Sequence, residues 1–171
     1  GFGSFGSYYQ SNGIFGELNH RFGKTTGIAR YEFSFDEFYD HSRSGFSHRL
    51  LLVSSFPVYK KWNFYLGPVL SLDDARLNLY DFFSAGATAG VQVRLSGNSG
   101  FVMSGGYEHR EYFDNSEERN DNIFIFAARA EYYIFDNVFI TTSAVYFSDN
   151  SSLKQYTFDR WLLFLGTGLV Y

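Results

Sequence analysis

The 171-residue sequence predicts an all-β fold, an antiparallel up-and-down β-barrel of about ten strands. Apolar and polar residues alternate with a period of two along nearly the whole chain, which is the pattern of strands with one apolar face. Short and long connections between these segments follow one another in strict turn, as in a series of hairpins. Capped, helix-spaced apolar patterns are hard to find.

Nine segments alternate clearly, and a weaker tenth precedes them. The nine cover residues 13–21, 27–38, 46–56, 62–72, 84–95, 101–110, 122–132, 138–147 and 158–170. The tenth, residues 2–10, brings the count to the even number expected of bacterial single-chain barrels. Eight or twelve strands also fit the pattern.

The connections between these segments are of two kinds. Tight turns are predicted around Lys24, Lys60, Asn98 and Asp136, and longer polar connections over residues 39–45, 73–82, 111–121 and 148–157. Proline cannot donate a ladder hydrogen bond, so we expect a bulge or local irregularity at Pro68, inside an otherwise regular strand. The hairpin layout occupies residues 1–171 as a single domain.

The composition limits the class of protein. Aromatic residues make up 22 % of the chain, more than a water-soluble core needs. No apolar run approaches the roughly 18 to 20 residues of a membrane-spanning helix, so any membrane crossing must use strands of about ten residues. The chain has no cysteine, which excludes disulfides and thiolate metal sites, and its net charge of -4 gives no support for nucleic-acid binding.

The polar face of each strand indicates which face points inward. Arg30, Glu32, Ser34 and Asp36 alternate with apolar residues, and later strands mix charges with Gly and Ser in the same way. Small residues leave room for long charged side chains in a narrow interior, whereas the surface of a soluble barrel would carry more Lys and fewer Gly. The pattern therefore favours a transmembrane barrel with its apolar face toward lipid.

Aromatic residues concentrate near the predicted strand ends, for example at Trp62 and Phe64 and at Tyr146 and Phe147. Such positions are typical of the two interfacial girdles of membrane barrels. The strand propensity of aromatic residues is the alternative explanation.

Charged residues on the inward face form the main candidate site. They are predicted to pair with one another and fill the interior, because an unpaired buried charge is costly. An arginine-lined narrow channel for small solutes or ions is the alternative. The predicted network consists of Arg30, Glu32, Arg94, Glu108, Arg110, Arg129, Glu131 and Arg160.

The last strand ends in a terminal aromatic residue preceded by apolar residues at alternate positions. The series comprises Trp161, Leu163, Leu165, Leu169 and Tyr171, and Thr167 departs from it. This segment resembles the C-terminal targeting signal of outer-membrane barrels. The resemblance implies the bacterial outer membrane as location, with its lipid and lipopolysaccharide as surroundings and the barrel-assembly machinery as a partner.

A second resemblance covers about the last third of the chain. Residues 107–112, 118–121, 148–152 and 156–160 resemble the closing hairpins of barrels attached to periplasmic helical-repeat domains. It implies a barrel domain whose periplasmic part lies outside this sequence, and a periplasmic or membrane protein as a further partner.

Catalytic candidates are few. Asp40 and His41 invite comparison with ten-stranded outer-membrane proteases, but no family motif surrounds them, and a surface loop is the preferred interpretation. Residues 146–154 are similar to the late strand of lipid A deacylases, yet Tyr146 stands where the histidine is needed, which leaves the serine without a base. His48 and His109 are expected on the lipid-facing side near the outer rim.

The acidic segment 111–121 lacks calcium-ligand spacing and is predicted to be a solvated loop. No metal or cofactor is expected. The sequence therefore predicts a structural, anchoring or partner-binding barrel rather than an enzyme. A narrow channel and an outer-leaflet protease or lipid A-modifying enzyme are the alternatives.

Overall fold

The computed structural model describes residues 9–38, 44–59, 61–113, 118–135 and 138–169. These residues form one antiparallel sheet in which each strand pairs with its neighbours in sequence. Its nine strands are β1 (Tyr9–Phe22), β2 (Thr25–Phe38), β3 (Gly45–Tyr59), β4 (Trp62–Ala75), β5 (Phe82–Arg94), β6 (Ser99–Tyr112), β7 (Asn120–Phe135), β8 (Val138–Ser151) and β9 (Phe158–Leu169).

The prediction of an all-β, up-and-down antiparallel fold is confirmed. Nine strands lie in the described residues rather than ten, since Tyr9 and Gln10 belong to β1 instead of to a separate strand over residues 2–10. Residues 1–8 lie outside the described part of the chain. Within that part β1 and β9 do not pair with each other, so the sheet has two edges and is not closed.

Connections at the two ends of the sheet differ in length, as the sequence predicts. At the turn end the strands are joined by short connections such as Gly23 and Lys24, where Gly23 adopts a φ of 63° that favours glycine. At the loop end the connections are longer. Two of them carry short 3-10 helices, Asn78–Tyr80 and Lys154–Tyr156. No helix in the described ranges is long and apolar enough to cross a membrane.

The strands extend beyond their apolar segments at the loop end. Strand β4 continues through Asp73 and Asp74 to Ala75, where the ladder with β3 is still formed. Strand β8 likewise runs on to Ser151. Ladder hydrogen bonds join backbone groups, so pairing persists past the last apolar side chain, which is where the pattern alone places the strand end.

A local irregularity occurs at Pro68, but the register shift lies elsewhere. Strands β3 and β4 keep one register on both sides of Pro68, and that proline is opposite Ala87 of β5. The register shift occurs between Pro57 and Tyr59 on β3, next to the chain's other proline. The paired positions of β3 and β4 skip Leu52 and Val53 and, opposite them, Pro68 and Gly67, so the expected irregularity at Pro68 is an interrupted ladder rather than a bulge.

The sheet is curved, with a polar concave face and an apolar convex face. Arg49 of β3 contacts Glu108 of β6 at 2.8 Å across two intervening strands, which requires that face to be concave. Burial follows the same division, because Ser84 and Asp121 on the concave face are fully buried while Leu66 on the convex face is 53 % exposed. This is the reverse of a soluble barrel, whose apolar residues face inward.

Candidate functional site: the concave face

Three zones make up the concave face. A cavity of about 800 Å³ lies at the turn end and is lined by residues of β1 to β7, among them Arg94 and Glu131. A second cavity of about 800 Å³ lies at the loop end and is lined by residues of β2 to β6, β8 and β9, among them Asp73 and Arg160. Between them lies a central layer built around Arg49 and Glu108.

The central layer depends on small residues beneath a long acidic side chain. Glu108 is 5 % exposed, accepts a hydrogen bond from Arg49 at 2.8 Å and lies 3.5 Å from the Ser84 hydroxyl. Gly86 is directly opposite Glu108 in the ladder. A Cβ atom there would lie 2.0 Å from the Tyr107 carbonyl oxygen and 2.8 Å from the Glu108 side chain. Glycine at position 86 therefore makes the space that Glu108 occupies.

The apolar part of this layer comes from the ladder partners of the charged pair. Ile123, opposite Glu108 on β7, is fully buried, and Val69, opposite Gly86 on β4, is 3 % exposed. Ile123, Ile125 and Ala127 share the concave face, as their parity predicts. The interior at this level is thus partly apolar packing.

A buried ion pair lies at the loop end of the sheet, where β6 ends and β7 begins. The Arg119 Nε–H donates to Asp121 Oδ1 at 3.0 Å, and a second guanidinium nitrogen donates to Oδ2. The Tyr112 hydroxyl donates to the same Oδ2 at 3.0 Å. The guanidinium also lies 4.0 Å from the centroid of the Tyr112 ring and 3.8 Å from that of Tyr156. Two aromatic faces and a carboxylate thus hold Arg119.

Burial and these contacts act in opposite directions on Arg119. Burial alone lowers its pKa, but the hydrogen bond to Asp121 and the charges around it raise the pKa above the ordinary arginine value. The guanidinium is therefore a fixed cation. The prediction that residues 111–121 form a solvated loop is wrong at this end of the segment, since Arg119 and Asp121 are buried. Residues 114–117 lie outside the described part.

Arg110 and Arg160 also line the loop-end cavity. The Arg110 guanidinium lies 4.5 Å from the Phe82 ring centroid, and that of Arg160 lies 5.0 Å from the Phe147 ring centroid. Two buried polar atoms nearby, Arg110 Nε and Asp149 Oδ1, have no hydrogen-bond partner among the described residues. Aromatic rings therefore position the Arg110 and Arg160 guanidinium groups at the loop-end cavity.

The ion pairs toward the turn end are more exposed. Arg129 pairs with Glu131 on the same strand, and the Arg129 Nε–H donates to Thr141 at 3.2 Å. On β2, Arg30 lies 2.7 Å from Glu32 and 3.8 Å from Glu17. The Arg30 Nε–H is not aligned for a hydrogen bond at the shorter of these distances.

All eight residues of the predicted charge network lie on the concave face, but they do not form one cluster. Glu131 is opposite Gly100 of β6, and Arg94 is opposite the same glycine from the other side. Glu108 lies much further along β6 and pairs with Arg49. Sequence reasoning missed Arg49, although it shares its parity with Ser47, and it also missed Arg119 and Asp121.

The convex face carries an apolar belt with a polar boundary at the loop end. On β4 the exposed residues Trp62, Phe64, Leu66, Pro68, Leu70 and Leu72 precede Asp74, and on β7 Asn122 precedes Phe124, Phe126, Ala128, Ala130, Tyr132 and Ile134. Ring pairs lie along both ends, such as Trp62 with Phe64 and Tyr146 with Trp161. His48 and His109 lie on this face near the loop end, where His48 Nδ1 is 2.7 Å from the Tyr31 hydroxyl.

The described part of the C-terminal series belongs to the belt. Trp161, Leu163 and Leu165 are 65 %, 79 % and 81 % exposed on the convex face of β9. Leu169 ends this strand in the described backbone, and Tyr171 lies outside the described residues.

Of the two catalytic candidate segments, only residues 146–154 lie within the described part of the chain. Asp40 and His41 lie outside the described residues. The Tyr146 hydroxyl, at the position where the deacylase resemblance requires a histidine, donates to Asp159 at 3.2 Å on the convex face. Among the residues that the structure describes, no group of three or more metal-ligating side chains comes together.

Comparison of the chain with protein-family models, with curated proteins and with solved structures gives no match in any of the three.

Proposed function

We propose that this chain forms the membrane-spanning wall of a bacterial outer-membrane β-barrel with a structural, anchoring or partner-binding role. Lipid contacts its convex face, and its charged side chains fill the interior. The barrel-assembly machinery inserts it through the apolar series on β9.

The reversed distribution of burial carries this proposal. Large apolar side chains are exposed along the convex face, whereas Glu108, Asp121 and Ser84 are buried on the concave face. Water-soluble proteins rarely expose a continuous apolar surface larger than a few hundred Å². In lipid, the transfer of this apolar surface out of water is favourable.

The belt has the right height for an outer membrane. From Trp62 to Leu72 on β4, and from Phe124 to Ile134 on β7, the apolar residues span eleven positions. At about 3.3 Å per residue and a tilt of about 40°, this corresponds to a band of about 25 Å, which is the height typical of outer-membrane barrels.

The central layer supports a filled interior over an open pore. Arg49, Glu108, Val69 and Ile123 occupy the space between the two cavities. A side chain from β3 that reaches β6 crosses much of the inner width of a small barrel. We therefore place the anchoring role ahead of transport.

Gel mobility and solubility test the proposal. We expect the protein to fold in detergent with a β-type circular dichroism spectrum and to migrate differently in gels with and without heating. A monodisperse, folded protein in buffer without detergent would contradict the proposal.

Narrow-channel transport is the second candidate, favoured by the cavities at both ends of the concave face. Planar-bilayer recordings separate the two. A filled interior gives no steady unitary current, whereas a channel conducts small ions, and replacing Arg49 or Glu108 then changes its ion selectivity.

A further inference from the structure

The two edges of the sheet need partners if the chain spans a membrane, so this inference rests on the proposed function. Strands β1 and β9 each pair with one neighbour only in the described part of the chain. Lipid cannot supply hydrogen bonds to an open edge, so unsatisfied backbone groups there are strongly destabilising. The working barrel must therefore close.

Strand direction excludes direct antiparallel closure. All eight pairings between neighbours are antiparallel, so β1 and β9 run in the same direction, both from the loop end to the turn end. A seam between them would be parallel. A second copy inserted in the same orientation also presents β1 and β9 edges of that direction, so it gives parallel seams as well.

Side chains of the edge strands are left uncovered on the concave side. Phe15 of β1 and Phe164 of β9 have concave parity, yet they are 65 % and 54 % exposed. Ile123, on the same face of a central strand, is fully buried. Every described side chain from Gln10 to Phe22 on β1 is exposed.

We infer that an odd number of further antiparallel strands lies between β9 and β1, supplied by sequence that precedes Gly1 in the same polypeptide. Each strand of this sheet neighbours the strand before it in sequence, so a preceding strand that follows this rule lies at the free edge of β1. Its connection to β1 falls at the loop end. Its residues alternate between apolar ones toward lipid and others that cover Phe15 and Phe164, and the total strand number becomes even.

Photo-crosslinking in the full-length protein tests this inference. A photoreactive amino acid replaces Asn19 on β1 or Leu163 on β9, the protein is made from its own gene in outer membranes, and mass spectrometry identifies the linked peptide. Adducts to the established neighbours, β2 from position 19 and β8 from position 163, are the internal control. We expect the remaining adducts to map to peptides ahead of Gly1.

Three results would overturn the inference. A direct adduct between β1 and β9 of one chain means a parallel seam, an adduct between two copies means assembly of this sheet with itself, and an adduct to a different protein means an external strand. The outer-membrane fraction reports separately on the proposed function, because a protein recovered folded from the soluble fraction contradicts membrane insertion whichever peptide is linked.

Discussion

Glycine at position 86 leaves room for the side chain of Glu108, its partner in the ladder. Gly86→Ala places a Cβ atom 2.0 Å from the Tyr107 carbonyl oxygen, so strands β5 and β6 must separate or Glu108 must move. We expect a loss of about 1 to 3 kcal/mol in the free energy of unfolding, the range of overpacked sites.

Gly106 supplies the matched control for this substitution. It has the same concave parity, and a Cβ atom there lies 3.6 Å from its nearest contact, the Ala87 carbonyl oxygen. Gly106→Ala should leave stability unchanged or raise it by about 0.4 to 1 kcal/mol. Urea unfolding in detergent measures both variants, and equal losses would contradict the steric role of Gly86.

Asp121 holds a buried cation, so its charge should matter more than that of an exposed carboxylate. Asp121→Asn leaves the Arg119 guanidinium buried without its counter-charge, and removing one member of a buried pair typically costs about 3 to 5 kcal/mol. Glu111→Gln removes an exposed carboxylate 3.6 Å from His109 and should cost less than about 1 kcal/mol. Thermal unfolding compares them, and an equally small effect would mean that the Arg119 pair is not needed.

Two of the three glutamates of the predicted network, Glu108 and Glu131, should also differ because they are buried to different extents. Glu108 is 5 % exposed, whereas the pair of Arg129 and Glu131 remains partly in solvent. We expect Glu108→Ala to cost about 1 to 3 kcal/mol, since Arg49 keeps partial hydration, and Glu131→Ala less than about 1 kcal/mol. The reverse order in a denaturation series would show that the charges at the turn end determine stability.

At the scale of elements, the last strand should direct insertion through its convex face. Leu165→Asp places a charge in the belt beside Leu163, while Leu162→Asp places the same charge on the concave face of the same strand. We expect the first change, like removal of Tyr171, to reduce outer-membrane insertion in cells severalfold, and the second to have a smaller effect. Equal insertion of both aspartate variants would contradict the face assignment.

The strands themselves could be predicted closely, because period-two alternation and turn residues are local signals. Their loop-end limits could not, since Asp73 and Asp149 continue ladders that no apolar pattern marks. The effect of Pro68 could be predicted only in part. Proline cannot donate to the ladder, and the pairing of β3 with β4 is interrupted at Pro68, but the register is the same on both sides and the register shift falls beside Pro57.

The face of each charged residue could also be predicted, but its partner could not. Parity assigns a side chain to a face, whereas pairing depends on register and curvature. Arg49 reaches Glu108 across two strands because the sheet curves and Gly86 leaves room. Neither the curvature nor the register can be predicted from one segment alone. Arg119 was not singled out because it lies in the acidic segment 111–121, which was predicted to be a solvated loop.

At the scale of the whole molecule, the curved sheet joins a polar interior to an apolar exterior. The central layer ties β3 to β6, the pair of Arg119 and Asp121 closes the loop end, and the belt runs around the convex face. A soluble domain has its apolar side chains inside and its polar ones outside, the reverse of this arrangement. Whether lipid or water surrounds the convex face therefore distinguishes a membrane-spanning wall from a soluble sheet.

A spin-label scan of β7 in lipid vesicles tests most directly whether the convex face contacts lipid. The chain has no cysteine, so single cysteines can carry a nitroxide at each residue from 124 to 131, and collisions with oxygen and with a water-soluble nickel complex are measured. We predict oxygen contact at the convex positions 124, 126, 128 and 130, with nickel contact or protection from both reagents at the alternate concave positions. Nickel contact at the convex positions, or no period of two, would contradict a membrane-spanning wall.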